Sequence, residues 1–264
     1  MPLDSRIGSR GTRILRATGT AERGVVMAAS DNAVQLALLG GFLLSHHGRP
    51  VALSSGAQRL LALLALQNGA HRAAAATQLW PDSPPSRAAA NLRSALWRGR
   101  RVGAQPLIDA AGPRLRLSPA ARVDVLEIRE QATRGLGEPI PPRGEFDTLL
   151  NGLSRDLLPG WTEDWLLLER ERWDQIRLHT LEELAQHLLL AGNHLLALQT
   201  ALAAIAIEPI RETAHRTVME IHIAEGNAAS ALKHYQRYRT VLHRELGVTP
   251  SPLMAELART LLGD

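Results

Sequence analysis

The 264-residue sequence contains no cysteine, one lysine and only nine aromatic side chains. The lack of cysteine excludes disulfide bonds, thiolate metal sites and cysteine nucleophiles. The apolar runs, such as Leu36–Leu44 and Leu60–Leu66, are far shorter than the roughly 20 residues that span a bilayer, and no secretory signal is evident at the N-terminus. We therefore expect a cytoplasmic protein with a packed core, since 45% of the residues are hydrophobic.

The charge is divided unevenly along the chain. Residues 1–122 hold 16 Lys and Arg against 5 Asp and Glu, a net charge of +11, whereas residues 123–264 hold 14 against 21, a net charge of −7. Apart from Lys233 the positive charge is arginine, whose planar guanidinium binds phosphate and guanine bidentately. Genomic G+C bias would explain the choice of arginine but not its segregation. The division predicts a polyanionic partner for the first half and a protein partner for the second.

Three regions are predicted along the chain. Residues 1–32 are rich in Arg, Gly, Ser and Thr without an apolar period, so we expect a disordered arm; Met27 lies close to the first strand, and translation from Met27 is a hypothesis. Residues 33–122 predict strands, three helices and a hairpin, and residues 123–264 predict helices only. The predicted elements of the first half are strands Val34–Leu39, Phe42–Ser45 and Pro50–Leu53, helices Ser55 to Gly69, Ala73–Trp80 and Pro85 to about Arg98–Arg101, and hairpin strands Leu107–Asp109 and Arg114–Leu117.

Two helix starts have recognisable signals. Ser55 with Gln58 three residues later resembles a capping box, and Ser83-Pro84-Pro85 resembles a cap followed by proline in the first turn. In the second half the predicted helices are Val125–Arg134, Glu163–Ala191, Leu195–Ile207, Arg211–Glu225, Ala228–Leu246 and Pro252–Leu262, while residues 135–160 are predicted as a loop.

A short internal repeat occurs in the helical half. Gly192-Asn193 recurs as Gly226-Asn227, and Ala197-Leu198 recurs as Ala231-Leu232, each 34 positions later in the printed sequence. This is the period of tetratricopeptide repeats, in which pairs of helices stack. The spacing predicts a helical array.

The third predicted helix has one polar, positively charged face. The opposite side carries Ala89, Leu92, Leu96 and Gly99 and is expected to pack on the first two helices, and no acidic residue occurs between Ser83 and Ile108. On a helical wheel the polar residues fall within an arc of about 80°; they are Arg87, Asn91, Ser94, Arg98 and Arg101.

Such a helix fits the major groove of DNA, where Arg binds guanine and Asn binds adenine. Arg93, Trp97 and Arg100 flank the face and are predicted to reach the phosphate backbone. In the hairpin, Arg114 and Arg116 alternate with leucines, so one side is basic and fits a minor groove. The alternative is a solvated face of an ordinary amphipathic helix, but such a face usually mixes both signs of charge.

Several ordered motifs resemble one family of regulators. Leu39-Gly-Gly-Phe42, Gly48-Arg-Pro50, Gln58-Arg-Leu-Leu61, Leu79-Trp-Pro81 and Ala90-Asn-Leu-Arg-Ser-Ala-Leu-Trp-Arg98 resemble the winged-helix domain of the Streptomyces antibiotic regulatory protein (SARP) family. Asp156-Leu-Leu-Pro159, Trp165, Leu168-Glu-Arg-Glu-Arg172, Glu208-Pro209, Ala224-Glu-Gly-Asn227 and Tyr235–Gly247 resemble its bacterial transcriptional activator domain. The similarity covers about residues 34–262.

The resemblance implies a mainly α protein, with an OmpR-type winged helix-turn-helix at residues 33–122 and an all-α, tetratricopeptide-like domain at residues 123–264. It implies a transcriptional activator that binds promoter direct repeats as a dimer and contacts RNA polymerase, including the sigma factor, without a cofactor. The DNA-binding residues that it implies are Arg87, Asn91, Arg93, Ser94, Trp97, Arg98, Arg100, Arg101, Arg114 and Arg116. The loop Trp80–Ser86, with Trp80, Asp82, Ser83 and Ser86, corresponds to the segment turned toward polymerase.

The sequence departs from the family pattern at two places. Gly99 stands where the family usually has leucine, so either the helix ends near Gly99 or a neighbouring side chain fills the space. Ala73–Ala76 replaces a more polar stretch that contains leucine, which predicts looser packing of the second helix.

Two other classes of function remain as alternatives. An enzyme is disfavoured because Lys233 lies in Leu-Lys-His rather than a Walker A loop, and no G-x-S-x-G or G-x-G-x-x-G occurs. The pairs His179/His187 and His215/His222 lack a carboxylate at ligand spacing, so no metal is expected. A helical-repeat scaffold without specific DNA binding is the main alternative. The aromatic side chains of the acidic half are expected in the core rather than in an effector pocket; they are Trp161, Trp165, Trp173, Tyr235 and Tyr238.

Overall fold

The computed structural model describes residues 34–135 and 142–262. The predicted arm and Met27 lie outside the described residues. The described chain is mainly helical, with short strands confined to its first half. None of the described helices combines the length and the apolar character needed to cross a membrane.

A small sheet opens the first half. Strand β1 (Val34–Ala37) pairs antiparallel with β2 (Leu43–His46), which pairs with β3 (Arg49–Pro50). Strand β9 (Ala121–Val123) joins the other edge of β1 in parallel, giving the order β3-β2-β1-β9. A strand is therefore confirmed at the start of the predicted range Val34–Leu39, and its alternate residues Val34 and Leu36 are buried.

Three helices follow the sheet: α1 (Ser55–Leu66), α2 (Arg72–Leu79) and α3 (Pro85–Gly99). The leucines of α1, from Leu60 to Leu66, are all buried in the core of this half. The predicted capping box is wrong, because the side chain of the N-cap residue Ser54 makes no capping bond and the Gln58 amide donates to the Leu53 carbonyl at 3.0 Å. Ser83 is not the cap of α3 either; Pro84 is the N-cap and Pro85 is the first helical residue.

The predicted hairpin forms the wing of the fold. Strand β7 (Ile108–Asp109) pairs antiparallel with β8 (Arg114–Leu117), and β8 also pairs with β4 (Ala70–His71), which lies between α1 and α2. Strands β5 (Arg101–Val102) and β6 (Gln105–Pro106) form a second small hairpin just after α3. Gly69 permits the close approach of the α1–β4 turn to the wing, since a Cβ there would lie 2.6 Å from the Leu115 carbonyl oxygen.

The second half is an array of helices. Each of the longer helices matches its predicted range to within two residues, but α5 lies inside residues 135–160, where the predicted loop is therefore wrong. The bounds are α4 Asp124–Gly135, α5 Arg143–Leu153, α6 Asp164–Leu190, α7 His194–Ile207, α8 Glu212–Ala224, α9 Ala228–Leu246 and α10 Pro252–Thr260.

The 34-residue repeat corresponds to equivalent positions in two turns. Gly192 and Gly226 have φ values of 73° and 75° and follow the ends of α6 and α8. Asn193 and Asn227 are the N-cap residues of α7 and α9. One turn into each helix, Ala197 and Ala231 are fully buried. The repeat therefore reflects two stacked helix–turn–helix units, as predicted.

The two halves share a continuous core that runs from β1 to α8. The Asp124 carboxylate at the start of α4 accepts hydrogen bonds from the backbone amides of Leu38, Leu39 and Val125 at 2.7–3.0 Å, although burial raises the pKa of Asp124. Leu39 also forms a β-bridge with Leu157 in the loop before α6. These contacts hold the helical half against the sheet of the first half.

Candidate nucleic-acid interface

Helix α3 buries a face that differs from the predicted one. Leu92, Leu96 and Gly99 are buried as expected, but Ala88 and Ala95 are also buried and Ala89 is only half-buried. The sequence interpretation expected the buried face to lie directly opposite the polar stripe. At 100° per residue, the observed buried face is centred about 60° around the helix axis from that expected direction. The outward face of α3 is therefore centred near Ala90, Ser94 and Trp97 rather than along Arg87 and Arg98.

The predicted DNA-binding residues of this region are accessible, with one partial exception. Asn91 is half-buried because it lies at the edge of the packed face. The exposed members are Arg87, Arg93, Ser94, Trp97, Arg98, Arg100 and Arg101. The structure thus presents five guanidinium groups and one indole around the outer side of a single helix and its C-terminal end.

The sequence left two explanations for Gly99, an end of the helix or a neighbouring side chain that fills the space, and both apply. Helix α3 ends at Gly99, and a Cβ at this position would lie 3.2 Å from the Cβ of Ala57 in α1. The glycine therefore allows α1 and α3 to approach closely, and Ala57 fills the space. Arg100 is the C-cap residue and Arg101 begins β5, so the placement of Arg101 on the helical stripe is corrected.

The α3 arginines have no ionic partners within the described part of the chain. Throughout residues 34–135 and 142–262, every ion pair of an arginine involves another position, so none forms at Arg87, Arg93, Arg98, Arg100 or Arg101. The first turn of α3 carries no acidic residue. A concentrated, uncompensated positive charge of this kind attracts a polyanion.

A cavity of about 450 Å³ separates the end of α3 from the wing. Arg72, which the sequence interpretation missed, enters this cavity from the start of α2. Its guanidinium is fixed by hydrogen bonds to the carbonyls of Ala110 (2.6 Å) and Gly112 (3.1 Å) in the wing turn. The lining residues are Arg72, Arg93, Leu96, Trp97, Arg100, Arg101 and Ala110. The only sequence signal for Arg72 was its place at the head of the second helix.

The wing arginines follow the predicted alternation. Arg114 and Arg116 are exposed, whereas Leu115 is fully buried and Leu117 is half-buried. The Arg114 guanidinium donates to the Asn68 carbonyl at 3.3 Å. Both arginines belong to β8 and lie outside the cavity that joins α3 to the wing turn.

The α2–α3 loop lines a groove of about 1060 Å³ against the start of α6. Trp80, Asp82 and Ser83 face Glu163 and Trp165 across it, while Ser86 is exposed in the first turn of α3. Arg59 of α1 organises this junction. Its guanidinium pairs with Glu163 at 2.7 Å, donates to the Leu79 carbonyl and lies 6.0 Å from the Trp80 ring centroid.

The aromatic residues of the acidic half lie in the core or pack against it. Trp173 and Tyr238 are buried, which confirms core packing for them, while Trp161, Trp165 and Tyr235 are half-buried. Trp161 stacks on Phe42 with ring centroids 6.0 Å apart and so joins the two halves. His215 pairs with His234 (2.9 Å) rather than with His222.

The fold and the basic face define a winged helix-turn-helix followed by a helical array. A family model described as the bacterial transcriptional activator domain matches residues 147–262. The regulatory protein AfsR of Streptomyces griseus is 29% identical over 223 residues, and the regulatory protein DnrI of Streptomyces peucetius is 28% identical over 254 residues. These alignments cover 80% and 87% of this chain.

These matches support assignment to the SARP family of transcriptional regulators: the activator-domain model covers residues 147–262, and the regulatory relatives align over most of the chain. The chain spans 92% of the length of DnrI but only 23% of the length of AfsR. A solved structure of Mycobacterium tuberculosis EmbR, in complex with a low-affinity phosphopeptide, has the same fold, with a TM-score of 0.63 and 20% identity. That likeness covers 88% of this chain and 65% of the EmbR chain. The predicted fold class, a winged helix followed by a helical domain, is thus confirmed.

Proposed function

We propose that this chain is a sequence-specific DNA-binding transcriptional activator. Helix α3 enters the major groove of a promoter and the β7–β8 hairpin lies along the adjacent minor groove. The observation that carries the proposal is the exposed arginine face of α3, which lacks ionic partners among the described residues. The regulatory relatives favour the same function.

The proposed DNA contacts divide into helix, cavity and wing. Arg72 joins the residues expected from the sequence, because its guanidinium is held rigidly beside Arg93 and Arg100. The complete set is Arg72, Arg87, Asn91, Arg93, Ser94, Trp97, Arg98, Arg100, Arg101, Arg114 and Arg116.

Two protomers bind a promoter direct repeat in the nucleoid, each placing α3 in one of two successive major grooves. The bound dimer presents the loop Trp80–Ser86 and the acidic helical half to RNA polymerase and its sigma factor. Exposure of Asp82 and Ser86 supports this role for the loop, since both side chains are accessible from solvent. In this proposal the DNA-binding domain ends at residue 122, the activator domain begins at residue 123, and neither needs a cofactor.

A gel-shift assay with genomic promoter fragments tests the proposal. With about six phosphates neutralised, the logarithm of the binding constant falls with the logarithm of salt concentration with a slope near −5. The triple variant Arg87→Ala/Arg93→Ala/Arg98→Ala should lose the discrete complex. A variant with the same loss of charge on the exposed surface of α9, Lys233→Ala/Arg237→Ala/Arg239→Ala, should keep it.

The alternative function, a helical-repeat scaffold, predicts a different result. In that case no promoter fragment gives a discrete complex, and the two triple variants behave alike. Equal weakening by both variants would show attraction to net charge alone and would contradict the assignment of α3 as the DNA-reading helix.

A further inference from the structure

The most unusual side chain on the proposed interface is apolar. Trp97 is 84% exposed, whereas the other four tryptophans of the chain are buried or half-buried in the fold. An indole offers a large apolar surface to a partner. A single exposed apolar side chain is common on protein surfaces, so its meaning depends on where it lies.

Trp97 lies near the middle of the outward face of α3. The buried residues Ala88, Leu92, Ala95 and Gly99 place the centre of the packed face opposite the row formed by Ala90, Ser94 and Trp97. Arginines flank this row on both sides of the helix. Arg93 and Arg100 lie toward the wing cavity, and Arg87 and Arg98 lie on the other side.

In a helix docked in a groove, this arrangement separates two kinds of contact. Long flanking arginines reach the phosphates on either wall, and the central row faces the base edges. The major-groove edges of the base pairs carry hydrogen-bond donors and acceptors, together with one apolar group, the C5-methyl of thymine. An indole cannot pair its apolar face with a donor or acceptor, but it can pack on a methyl group.

We propose that Trp97 reads a thymine methyl group in the major groove and determines part of the sequence preference of the protein. This assignment replaces the backbone contact that the sequence pattern predicts for Trp97, and it rests on the proposed function. The arginines around Trp97 form no ion pairs within the described chain, so their positive charge attracts a DNA duplex as the partner. The indole then favours duplexes with thymine at one position.

The test uses an operator obtained by selecting bound genomic fragments with the full chain. Each thymine is replaced in turn by deoxyuridine, which lacks only the C5-methyl group. We expect one replacement to weaken binding of the unaltered chain about fourfold, the value for one buried methyl group. Trp97→Ala should bind the operator about ten- to a hundredfold more weakly and should not respond to that same replacement.

Three further variants separate this role from charge and from general apolar surface. Trp97→Ala removes no charge, so the salt slope should stay unchanged, whereas Arg93→Ala should reduce its magnitude by about 1. Leu190→Ala truncates a side chain that is 83% exposed in the helical half and should leave affinity unchanged. Trp97→Phe, which keeps an aromatic ring, should retain part of the response to deoxyuridine.

The outcomes distinguish this inference from the proposed function. One contrary outcome is that deoxyuridine at every thymine leaves operator binding unchanged; another is that Trp97→Ala weakens binding to specific and non-specific DNA equally. Either result would place Trp97 against the sugar–phosphate wall of the groove. The inference would then be wrong, but the proposed function would stand. If no duplex is bound specifically, the proposed function fails and the inference fails with it.

Discussion

In the helical half, Arg177 is only 6% exposed and binds the carboxylates of Asp156 and Asp174 at 2.8 and 2.7 Å. Arg211 forms a bidentate pair with Glu182 at 2.7 and 2.8 Å. On α3, by contrast, Arg87 and Arg98 are exposed, and neither has a carboxylate partner in residues 34–135 or 142–262. The same residue type therefore holds the fold together in one region and remains available to a partner in the other.

This contrast separates two explanations of an arginine-rich sequence. A bias in composition would replace lysine by arginine everywhere, but it would not remove the carboxylates around one helix. A guanidinium without a nearby acid gains no folding stability from an ion pair, and a cluster of them repels itself. Arginine substitutions should consequently affect stability in one region and binding in the other.

The largest effect is expected for Arg177→Ala. The substitution removes a buried cation that pairs with two carboxylates, and it also removes the packing contacts of the arginine side chain. The free energy of unfolding should therefore fall by about 2–3 kcal/mol. The loss stays below the extreme for buried pairs because Asp156 and Asp174 are 68% and 38% exposed and can regain water. Urea unfolding measures it.

Arg244→Ala is the matched control in the same half. The Arg244 and Glu245 side chains are 72% and 50% exposed, so breaking their pair should change stability by less than about 0.5 kcal/mol. If Arg177→Ala is as stable as this control, the structural role assigned to the partnered arginines is wrong.

Arg98→Ala should produce the opposite pattern. Removing an exposed, unpaired guanidinium should leave the free energy of unfolding unchanged. It should weaken operator binding and reduce the magnitude of the salt slope by about 1, because Arg98 flanks the central row and is placed to contact a phosphate. Fluorescence anisotropy with the selected operator measures the affinity, and Arg239→Ala on the exposed side of α9 is the control. Unchanged affinity for Arg98→Ala would assign this side chain to solvent, and a loss of stability would break the contrast.

Gly99→Leu tests the other face of α3. Leucine is the residue that the family pattern usually has there, but a Cβ at position 99 would already lie 3.2 Å from the Cβ of Ala57. The larger side chain should force α1 and α3 apart and lower the free energy of unfolding by about 1–2 kcal/mol. Ala57→Gly in the same chain should restore part of the loss, as thermal unfolding would show. A variant more stable than the parent would mean that an unfilled space exists beside Gly99.

Local patterns predicted the elements that carry their own signals. Helix α9 has the predicted bounds because its apolar period is bounded by Asn227 and Gly247, and β8 shows the predicted alternation of arginine and leucine. Helix α5 was missed because the prolines and glycines before it obscured the spacing of Phe146, Leu149 and Leu153. The capping box at Ser55 was wrong because the N-cap is Ser54, one residue earlier, so Gln58 is not at the position that accepts from the cap amide, and its side-chain amide instead donates to the Leu53 carbonyl.

Contacts distant in sequence account for the rest. The bridge between Leu39 and Leu157 and the fixing of Arg72 by Ala110 join segments that no local period relates. Such contacts also determine which face of α3 points to solvent. Because Ala95 and Gly99 pack against α1, the exposed face is not centred on the polar stripe that the sequence predicts. The sequence identified the basic face, but only packing shows that Trp97 lies near its centre.

The smallest expected effect is on the free energy of unfolding at acidic pH, and it arises from a pair of histidines between α8 and α9. His215 Nδ1 lies 2.9 Å from His234 Nε2, and burial together with the neighbouring His215, His222 and Arg237 lowers the pKa of His234 to about 4. Because this pKa lies below the ordinary value of 6.5, the neutral ring stabilises the fold above pH 6.5, and that stability is lost as the pH falls toward 4. His234→Gln should reduce the acid-dependent loss by about 1 kcal/mol or less, whereas His243→Gln on the exposed side of α9 should not. Operator affinity between pH 6.5 and 8 should stay constant, because guanidinium groups keep their charge there; a fall over that range would link the helical half to DNA binding and break the contrast between the two regions.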